Sequence, residues 1–150
     1  MARLKIELPA SFCFSTRIPI RIGDINRAWH LSHVNMVAIL EEARAQYMVK
    51  QGFSDEVNNT QRQIGFILGD IAVVFKRQGY YGQILEVEIA AVDFEDKGFD
   101  LIYRVRELAS GKELARAKTG VLIFDYKTQK VIKITDELKD KLTACPDGGK

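Results

Sequence analysis

The sequence predicts an α+β fold in which one long helix is covered by a curved antiparallel sheet of about five strands. Only one stretch of the 150 residues is suited to a long helix, and most of the remainder alternates between apolar and polar side chains. Tight turn signals separate these alternating segments, which favours antiparallel neighbours over long crossovers. Since no Ser/Gly/Pro-rich linker interrupts the chain, we expect a single domain over residues 1–150.

Composition excludes several classes of function. Hydrophobic residues make up 47% and charged residues 28%, as in ordinary globular proteins. A net charge of only +2 argues against a nucleic-acid partner. No apolar run is long enough to span a bilayer and no targeting segment is evident, so we expect a soluble, cytoplasmic protein without membrane contact. Cys13 and Cys145 lack metal or redox spacing and are predicted to be free thiols, and no metal site is expected.

The first strand and the long helix are the best-defined elements. Residues 12–22 alternate with period two, and Pro19 places this strand at a sheet edge because it cannot donate to a ladder. The helix is predicted from about Ser32, as N-cap, to Gln51, with Gly52 as its stop. Its inward face is predicted to contain His33, Val37, Leu40, Arg44, Tyr47 and Met48, with Glu41 at the margin.

The rest of the chain reads as strands and turns. Polar residues 54–63 predict a turn or irregular helix, and residues 136–143 a short terminal helix. Further strands are predicted at residues 64–77, 85–89, 99–105 and 115–123, separated by turns at Gly79–Gly82, Asp96–Gly98 and Ser110–Gly111. Small residues at positions 115, 117 and 119 would let the sheet approach the helix closely and curve around it.

Unusual residues concentrate in the passage from Arg21 to Arg44. It contains both histidines, His30 and His33, together with the only tryptophan. This passage resembles hotdog-fold acyl-CoA thioesterases of the 4-hydroxybenzoyl-CoA thioesterase-like branch at Arg21, Asp24, Asn26, His30, His33, Glu41 and Arg44. The same branch is resembled by three later segments, GYYGQILEVE, GFDLIYRV and ARAKTGVLIF. The resemblance extends from about Ile18 to Leu138.

This resemblance implies a hotdog fold and hydrolysis of an acyl thioester. The implied substrate is an acyl-CoA or acyl carrier protein, with no cofactor other than the coenzyme A of the substrate itself. It also implies a homodimer that pairs its sheets edge to edge and forms its site between subunits, or a homotetramer assembled through the polar sheet face.

The loop departs from the family pattern at two positions. Relatives commonly have Asp-x-Asp there, with the second aspartate as nucleophile or base, whereas this chain has Asp24-Ile25-Asn26. Asn26 cannot accept a proton near neutral pH. Trp29 also stands where many relatives have glycine. Other hotdog thioesterases combine a loop amide with a carboxylate on the helix, and Glu41 is preferred over Glu42, which should point away from His33.

Each residue receives a predicted role with a structural alternative. First-turn N–H groups near His33 and Val34 would polarise the thioester carbonyl. Asn26 would hold the water or the carbonyl, unless it is only a turn residue. Glu41 would act as general base or form an acyl intermediate, unless it only pairs with a basic neighbour. His30 and His33 are donor or base candidates, unless they are solvated or pack at the helix start.

Two further acidic positions and two basic ones complete the set. Asp24 is a catalytic candidate that more plausibly caps the loop. Asp70 interrupts the apolar run ILGDIAVVF and is expected to be buried with a partner, either structurally or in a neighbouring subunit's substrate site. Lys76 and Arg77 are candidates for coenzyme A phosphates or are simply solvated.

The sequence therefore predicts an acyl-CoA thioesterase. The substitution of Asn26 for aspartate keeps open a non-catalytic acyl-CoA-binding protein. A hydratase or dehydratase, which on this fold uses a histidine with a carboxylate, is a lower-ranked third hypothesis.

Overall fold

The computed structural model describes residues 2–146 and contains one curved antiparallel sheet with a long helix against its inner face. The strands are β1 (Phe14–Pro19), β2 (Ile64–Phe75), β3 (Ile84–Val92), β4 (Gly98–Glu107), β5 (Glu113–Asp125) and β6 (Lys130–Val131). The helices are α1 (His33–Lys50), α2 (Asp55–Asn58) and α3 (Asp136–Thr143), and a 3-10 turn spans Ile22–Asp24. The strand order is β1-β3-β4-β5-β2, with β6 pairing with the end of β5.

This architecture confirms the predicted fold class. The described sheet has six strands rather than five, because the two residues of β6 return alongside β5 at Phe124 and Asp125. Pro19 ends β1 at an edge of the sheet, as predicted, where its missing N–H costs no ladder hydrogen bond.

Helix α1 begins where its capping residue predicts. The Ser32 hydroxyl accepts a hydrogen bond from the Val34 N–H at 3.1 Å, and Gly52 follows the helix with a φ of +94°. The buried face differs from the predicted one: it contains Met36, Ile39, Leu40, Ala43, Tyr47 and Met48. His33 and Val37 are exposed and Arg44 is half-buried. Because α1 has apolar residues on several sides, hydrophobic spacing alone does not fix its rotation.

The inner face of the sheet is covered unevenly. Ala115 and Ala117 of β5 are fully buried, whereas the close approach of the helix to these positions stays a prediction. Helix α1 packs against β1 and β3, whereas three apolar side chains of β2 on the same face remain exposed: Leu68, Ile71 and Phe75. Strand β2 is also the second edge of the sheet. An apolar strip along an open strand edge is therefore left without a cover in a single chain.

Asp70 is not buried, contrary to the prediction. The register of β2 against β5 shifts between Leu68 and Asp70, so these two side chains lie on opposite faces of the sheet. Asp70 is 64% exposed on the outer face. It accepts hydrogen bonds from Lys118 Nζ at 2.8 Å and from the Gly120 N–H at 2.9 Å, and these contacts, with Lys118 first, lower the pKa of its carboxyl.

The outer face also carries the segment that precedes β1. The Arg116 guanidinium donates to the Ile6 carbonyl at 3.1 Å, and the Arg104 guanidinium lies 5.3 Å from the centre of the Phe12 ring. We call residues 2–13 the N-terminal arm. Since Arg104 and Arg116 lie on β4 and β5, the arm crosses the middle of the sheet.

Cys13 and Cys145 form a disulfide, so the prediction of free thiols is wrong. Their Cα atoms are 5.0 Å apart, although 132 positions separate them in sequence. Helix α1 holds the same end of the chain, because Gln51 Nε2 donates to the Lys141 and Ala144 carbonyls at 2.9 and 2.8 Å. Sequence spacing gives no sign of a contact over such a distance.

In residues 2–146, no helix has the length and apolar character required to cross a membrane.

The disulfide predicts a large effect of reductant on stability. Closing a loop of 132 positions removes conformational entropy from the unfolded chain, worth about 5 kcal/mol in the chain-entropy model. We expect dithiothreitol to lower the free energy of unfolding by up to that amount, which appears as a lower urea midpoint. A Cys13→Ser/Cys145→Ser double variant is the control and should unfold at the reduced midpoint with or without reductant. Identical midpoints for oxidised and reduced wild type would contradict this expectation.

Candidate active site

The loop before α1 is a tight hairpin held by backbone hydrogen bonds. Ile25 and Leu31 form an antiparallel bridge, the Asn26 N–H donates to the His30 carbonyl at 3.0 Å, and the Trp29 N–H donates to the Asn26 carbonyl at 3.0 Å. The Leu31 N–H donates to the Gly79 carbonyl at 2.7 Å. This last bond joins the loop to the turn after β2 and fixes the start of the helix beside the end of that strand.

Asp24 supports this loop from inside. It is only 2% exposed, and its carboxylate accepts hydrogen bonds from the Arg21 N–H at 2.8 Å and from Asn35 Nδ2 at 3.2 Å. Burial alone would raise the pKa of Asp24, but the Arg21 and Asn35 hydrogen bonds outweigh it and lower the pKa. Asp24 lines a cleft beside Arg17 and Glu42, not the one that contains Asn26. Its contacts are those of the capping role expected from the sequence.

A cleft of about 320 Å³ lies where the loop, the helix start and the end of β2 meet. It is lined by Asn26, His30, Leu31, His33, Phe75, Lys76, Arg77 and Gln78. Three predicted catalytic residues, Asn26, His30 and His33, therefore share one cavity with the predicted phosphate contacts Lys76 and Arg77. Phe75 and Gln78 were missed by sequence reasoning, because nothing in the sequence indicates that β2 ends beside the helix.

The cleft contains hydrogen-bond donors without acceptors. The Asn26 side-chain oxygen accepts from the Ala28 N–H at 2.9 Å, so its NH₂ group is left as a donor without a partner in residues 2–146. The Val34 N–H is already bound to Ser32, which leaves the backbone N–H groups of His33 and Asn35 unpaired within the described chain. Such unpaired first-turn groups form the positive end of the helix. This end of the site is suited to a developing oxyanion.

The two histidines differ in their surroundings. His30 Nδ1 lies 3.2 Å from the Leu31 carbonyl, which favours the tautomer with its proton on Nδ1 and leaves Nε2 as an acceptor. His33 occupies the first helical position with an exposed side chain. Both rings are therefore accessible to a molecule in the cleft.

Glu41 does not line this cleft. It lies eight residues after His33, about 12 Å along the helix axis at 1.5 Å per residue. Its carboxylate is 73% exposed, 3.6 Å from Arg44, and lines a separate cleft together with Leu68. His33, Val37 and Glu41 form one exposed stripe at four-residue spacing. Glu42 points elsewhere, as predicted, and accepts from Gln46 Nε2 at 2.9 Å.

Comparison with known proteins identifies the family. Residues 20–142 match the family model of the thioesterase-like superfamily. The chain belongs to this superfamily. The membership confirms the resemblance stated from the loop and hairpin motifs, and it supports the prediction of a thioester hydrolase. No curated protein sequence matches the chain significantly.

Solved structures show the same fold. A 1,4-dihydroxy-2-naphthoyl-CoA thioesterase from Synechocystis is 16% identical, with a TM-score of 0.77 over 86% of this chain and 94% of its own. A probable thioesterase from Escherichia coli is 23% identical, with a TM-score of 0.70 over 85% and 95%. A gentisyl-coenzyme A thioesterase is 16% identical, with a TM-score of 0.76 over 87% and 100%. At these identities the likeness establishes the hotdog fold and nothing finer.

The capping role of Asp24 predicts a pH-dependent loss of stability. Because the folded-state pKa is lowered, its stabilisation is complete above the unfolded-state pKa and is lost as pH falls through the folded-state pKa. Asp24→Asn should lower the free energy of unfolding at pH 7 by about 1–3 kcal/mol. The difference in the free energy of unfolding from wild type should shrink as the pH falls below 3.8, the ordinary pKa of an aspartate carboxyl. Urea unfolding at pH 7 and pH 3 measures this difference, and Asp140→Asn, at an exposed position, is the control variant. A difference that is the same at both pH values would refute the role.

Proposed function

We propose that the protein is a homodimeric acyl-CoA thioesterase that converts an acyl-CoA and water into a carboxylic acid and coenzyme A. The observation that supports this most directly is the shared cleft: Asn26 and His33 both line it, and the Asn26 NH₂ and the His33 N–H have no hydrogen-bond partner within residues 2–146. Both donors would bind the thioester oxygen, where negative charge develops in the transition state. Family membership supplies the reaction class. Lys76 and Arg77 on the cleft wall favour the anionic coenzyme A as carrier. We also propose that the protein acts in the cytoplasm, where reducing conditions would open the Cys13–Cys145 disulfide.

The chemistry needs a base, and the carboxylate of Glu41 is the proposed one. Glu41 would take a proton from water as the water oxygen attacks the thioester carbon. The tetrahedral intermediate would then collapse with cleavage of the C–S bond, and the departing thiolate would regain that proton. In the alternative route the Glu41 carboxylate attacks the thioester carbon, and the C–S bond breaks to release the coenzyme A thiolate. Water then hydrolyses the anhydride to the free acid and the Glu41 carboxylate, and the proton released in this step neutralises the thiolate. His30 Nε2 is a second acceptor on the cleft wall.

A second copy of the chain would bring Glu41 to the cleft. Within one chain Glu41 and Asn26 line different cavities, but Glu41 is exposed beside the uncovered apolar strip of β2. Two-fold pairing of β2 edges would cover Leu68, Ile71 and Phe75 and remove an exposed strand edge. It would also set the exposed stripes of the two α1 helices against each other. We therefore assign Glu41 to the partner subunit's cleft.

Substitutions at these residues should affect catalysis more than folding. We expect Asn26→Ala to lower kcat about 100-fold, since one donor to the oxyanion is lost. Glu41→Gln should lower kcat by 10² to 10⁴, roughly the contribution of a general base. Glu42→Gln is the matched control because it lies next in sequence on another side of the helix, and it should retain wild-type kcat. Thiol release from a panel of acyl-CoAs measures all three, and thermal unfolding reports on folding.

The outcome of the same assay also decides between the function classes. Binding of acyl-CoA without release of thiol by the wild type would indicate a non-catalytic acyl-CoA-binding protein. Loss of enoyl absorbance without thiol release would indicate a hydratase. Full activity in Glu41→Gln would remove Glu41 from the mechanism and leave His30 or His33 as the base.

Mixed dimers test whether the site is shared. If Asn26 and Glu41 of different subunits form each site, a dimer of one Asn26→Ala and one Glu41→Gln subunit has one intact site and one doubly altered site. Equimolar mixing after unfolding and refolding should then restore about one quarter of wild-type activity, because half of the dimers are mixed. Activity no higher than that of the separate variants would place both residues in the same subunit's site.

A further inference from the structure

We propose that Trp29 is a stacking platform for the adenine base of coenzyme A, with Arg27, Lys76 and Arg77 placed to meet its phosphates. This inference rests on the proposed function, because it assigns the part of the substrate remote from the thioester to the tip of the loop hairpin. Nothing in the roles of Asn26, His33 or Glu41 requires it.

The backbone of Trp29 is the first observation. Its φ of +65° lies in the left-handed region, where glycine is at ease and a bulky side chain is sterically disfavoured. The hydrogen bonds from Trp29 to Asn26 and from Asn26 to His30 impose this conformation at the hairpin tip. A conformation that disfavours tryptophan is thus combined with the only tryptophan of the chain. Strain of this kind at a ligand-facing loop points to a function of the side chain.

The exposure of the indole is the second observation. Trp29 is 79% exposed, the largest exposed fraction among the exposed large hydrophobic residues of the described chain. No ring contact involves it within residues 2–146. Burial in the core therefore does not compensate the strained backbone. The indole faces of such a side chain are free to stack on a planar molecule from outside.

The charges around the hairpin are the third observation. The guanidinium groups of Arg27 and Arg77 have no ion pair or hydrogen-bond partner within residues 2–146. Lys76 reaches a carboxylate only at 3.9 Å, from Glu113. Asn26 and His30, the two legs of the hairpin, line the same cleft as Lys76 and Arg77. The unpaired Arg77 guanidinium and the Lys76 ammonium thus line the cleft proposed for the thioester, and the unpaired Arg27 belongs to the hairpin itself.

The combination fits one end of the proposed substrate. Adenosine 3′,5′-bisphosphate, the terminal unit of coenzyme A, joins a planar base to phosphates. Nucleic-acid bases of any identity stack on aromatic side chains. The acyl group is a poorer candidate, because it is held next to the thioester and Trp29 is not part of the cleft lining. A carrier protein lacks the base altogether. Stacking would therefore also select coenzyme A over acyl carrier protein.

The single tryptophan allows a direct binding test that needs no hydrolysis. We expect adenosine 3′,5′-bisphosphate to quench the emission of Trp29 in a saturable manner, and pantetheine, which lacks the nucleotide, to leave it unchanged. Arg27→Gln and Arg77→Gln should raise the Kd that the quenching titration gives for the nucleotide. Lys127→Gln, in the turn between β5 and β6, should leave this Kd unchanged. Absence of quenching at millimolar nucleotide overturns the proposal even if the protein proves to be an active thioesterase.

Kinetics with truncated substrates locate the contact. We expect Trp29→Gly to raise KM for an acyl-CoA about 10-fold or more, from the loss of stacking. The matching acyl-pantetheine should be hydrolysed by wild type and Trp29→Gly with similar KM. Trp29→Phe should retain most of the affinity for acyl-CoA. Because glycine accepts the left-handed backbone, Trp29→Gly should fold with an unchanged or higher Tm.

Three results would assign the indole to another occupant and overturn the proposal. An equal KM increase for acyl-pantetheine would place it against the acyl or pantetheine part. Emission that changes on dilution of the protein would place it at a contact between copies. A blue shift on adding vesicles of anionic phospholipid without nucleotide would indicate a membrane surface. If no thioester is hydrolysed but the nucleotide quenches as expected, the proposed catalysis fails and the nucleotide site stands.

Discussion

The hydrogen bond from the Leu31 N–H to the Gly79 carbonyl is the contact on which the site depends. It joins the loop before α1 to the turn after β2, two segments that are 48 positions apart in sequence. A side chain at position 79 would displace the buried ends of Ile20 and Leu114, because a Cβ there would lie 2.8 Å from Ile20 Cδ1 and 3.0 Å from Leu114 Cδ2. Glycine at this position allows the close approach that brings Asn26, His33 and the end of β2 to one cleft.

Separation of charge within the site follows from this arrangement. The cleft gathers neutral and positive donors, while the nearest loop carboxylate, Asp24, is buried and fully engaged on the other side of the loop. An amide at position 26 keeps negative charge away from the helix start, where it would compete with an oxyanion for the same N–H groups. The base must then come from elsewhere, which is consistent with an exposed carboxylate on the flank of α1.

Local rules were sufficient to predict much of the fold. The alternation of residues 12–22, the capping residue Ser32 and the missing N–H of Pro19 each act over a few residues. Ser32 and Pro19 were found where expected, and the strand is present but shorter than predicted, over Phe14–Pro19. The identity of Asn26, His30 and His33 as neighbours of one cavity also followed from their closeness in sequence.

The predictions that were wrong concern contacts between residues far apart in sequence. The rotation of α1 is decided by the sheet it meets, and the side chain of Asp70 changed faces because one additional residue enters β2 at Gly69. The disulfide pairs residues near the two ends of the chain, and Phe75 and Gln78 reach the cleft through the turn at Gly79. No short-range pattern contains this information.

The N-terminal arm has a consequence for assembly. It occupies the middle of the outer sheet face through the Ile6 carbonyl and the Phe12 ring. Back-to-back stacking of two sheets would require this arm to be displaced. The guanidinium groups of Arg116 and Arg104 would then lose their contacts with Ile6 and Phe12. The arm therefore obstructs back-to-back stacking of two sheets, whereas the edge of β2 stays uncovered within residues 2–146.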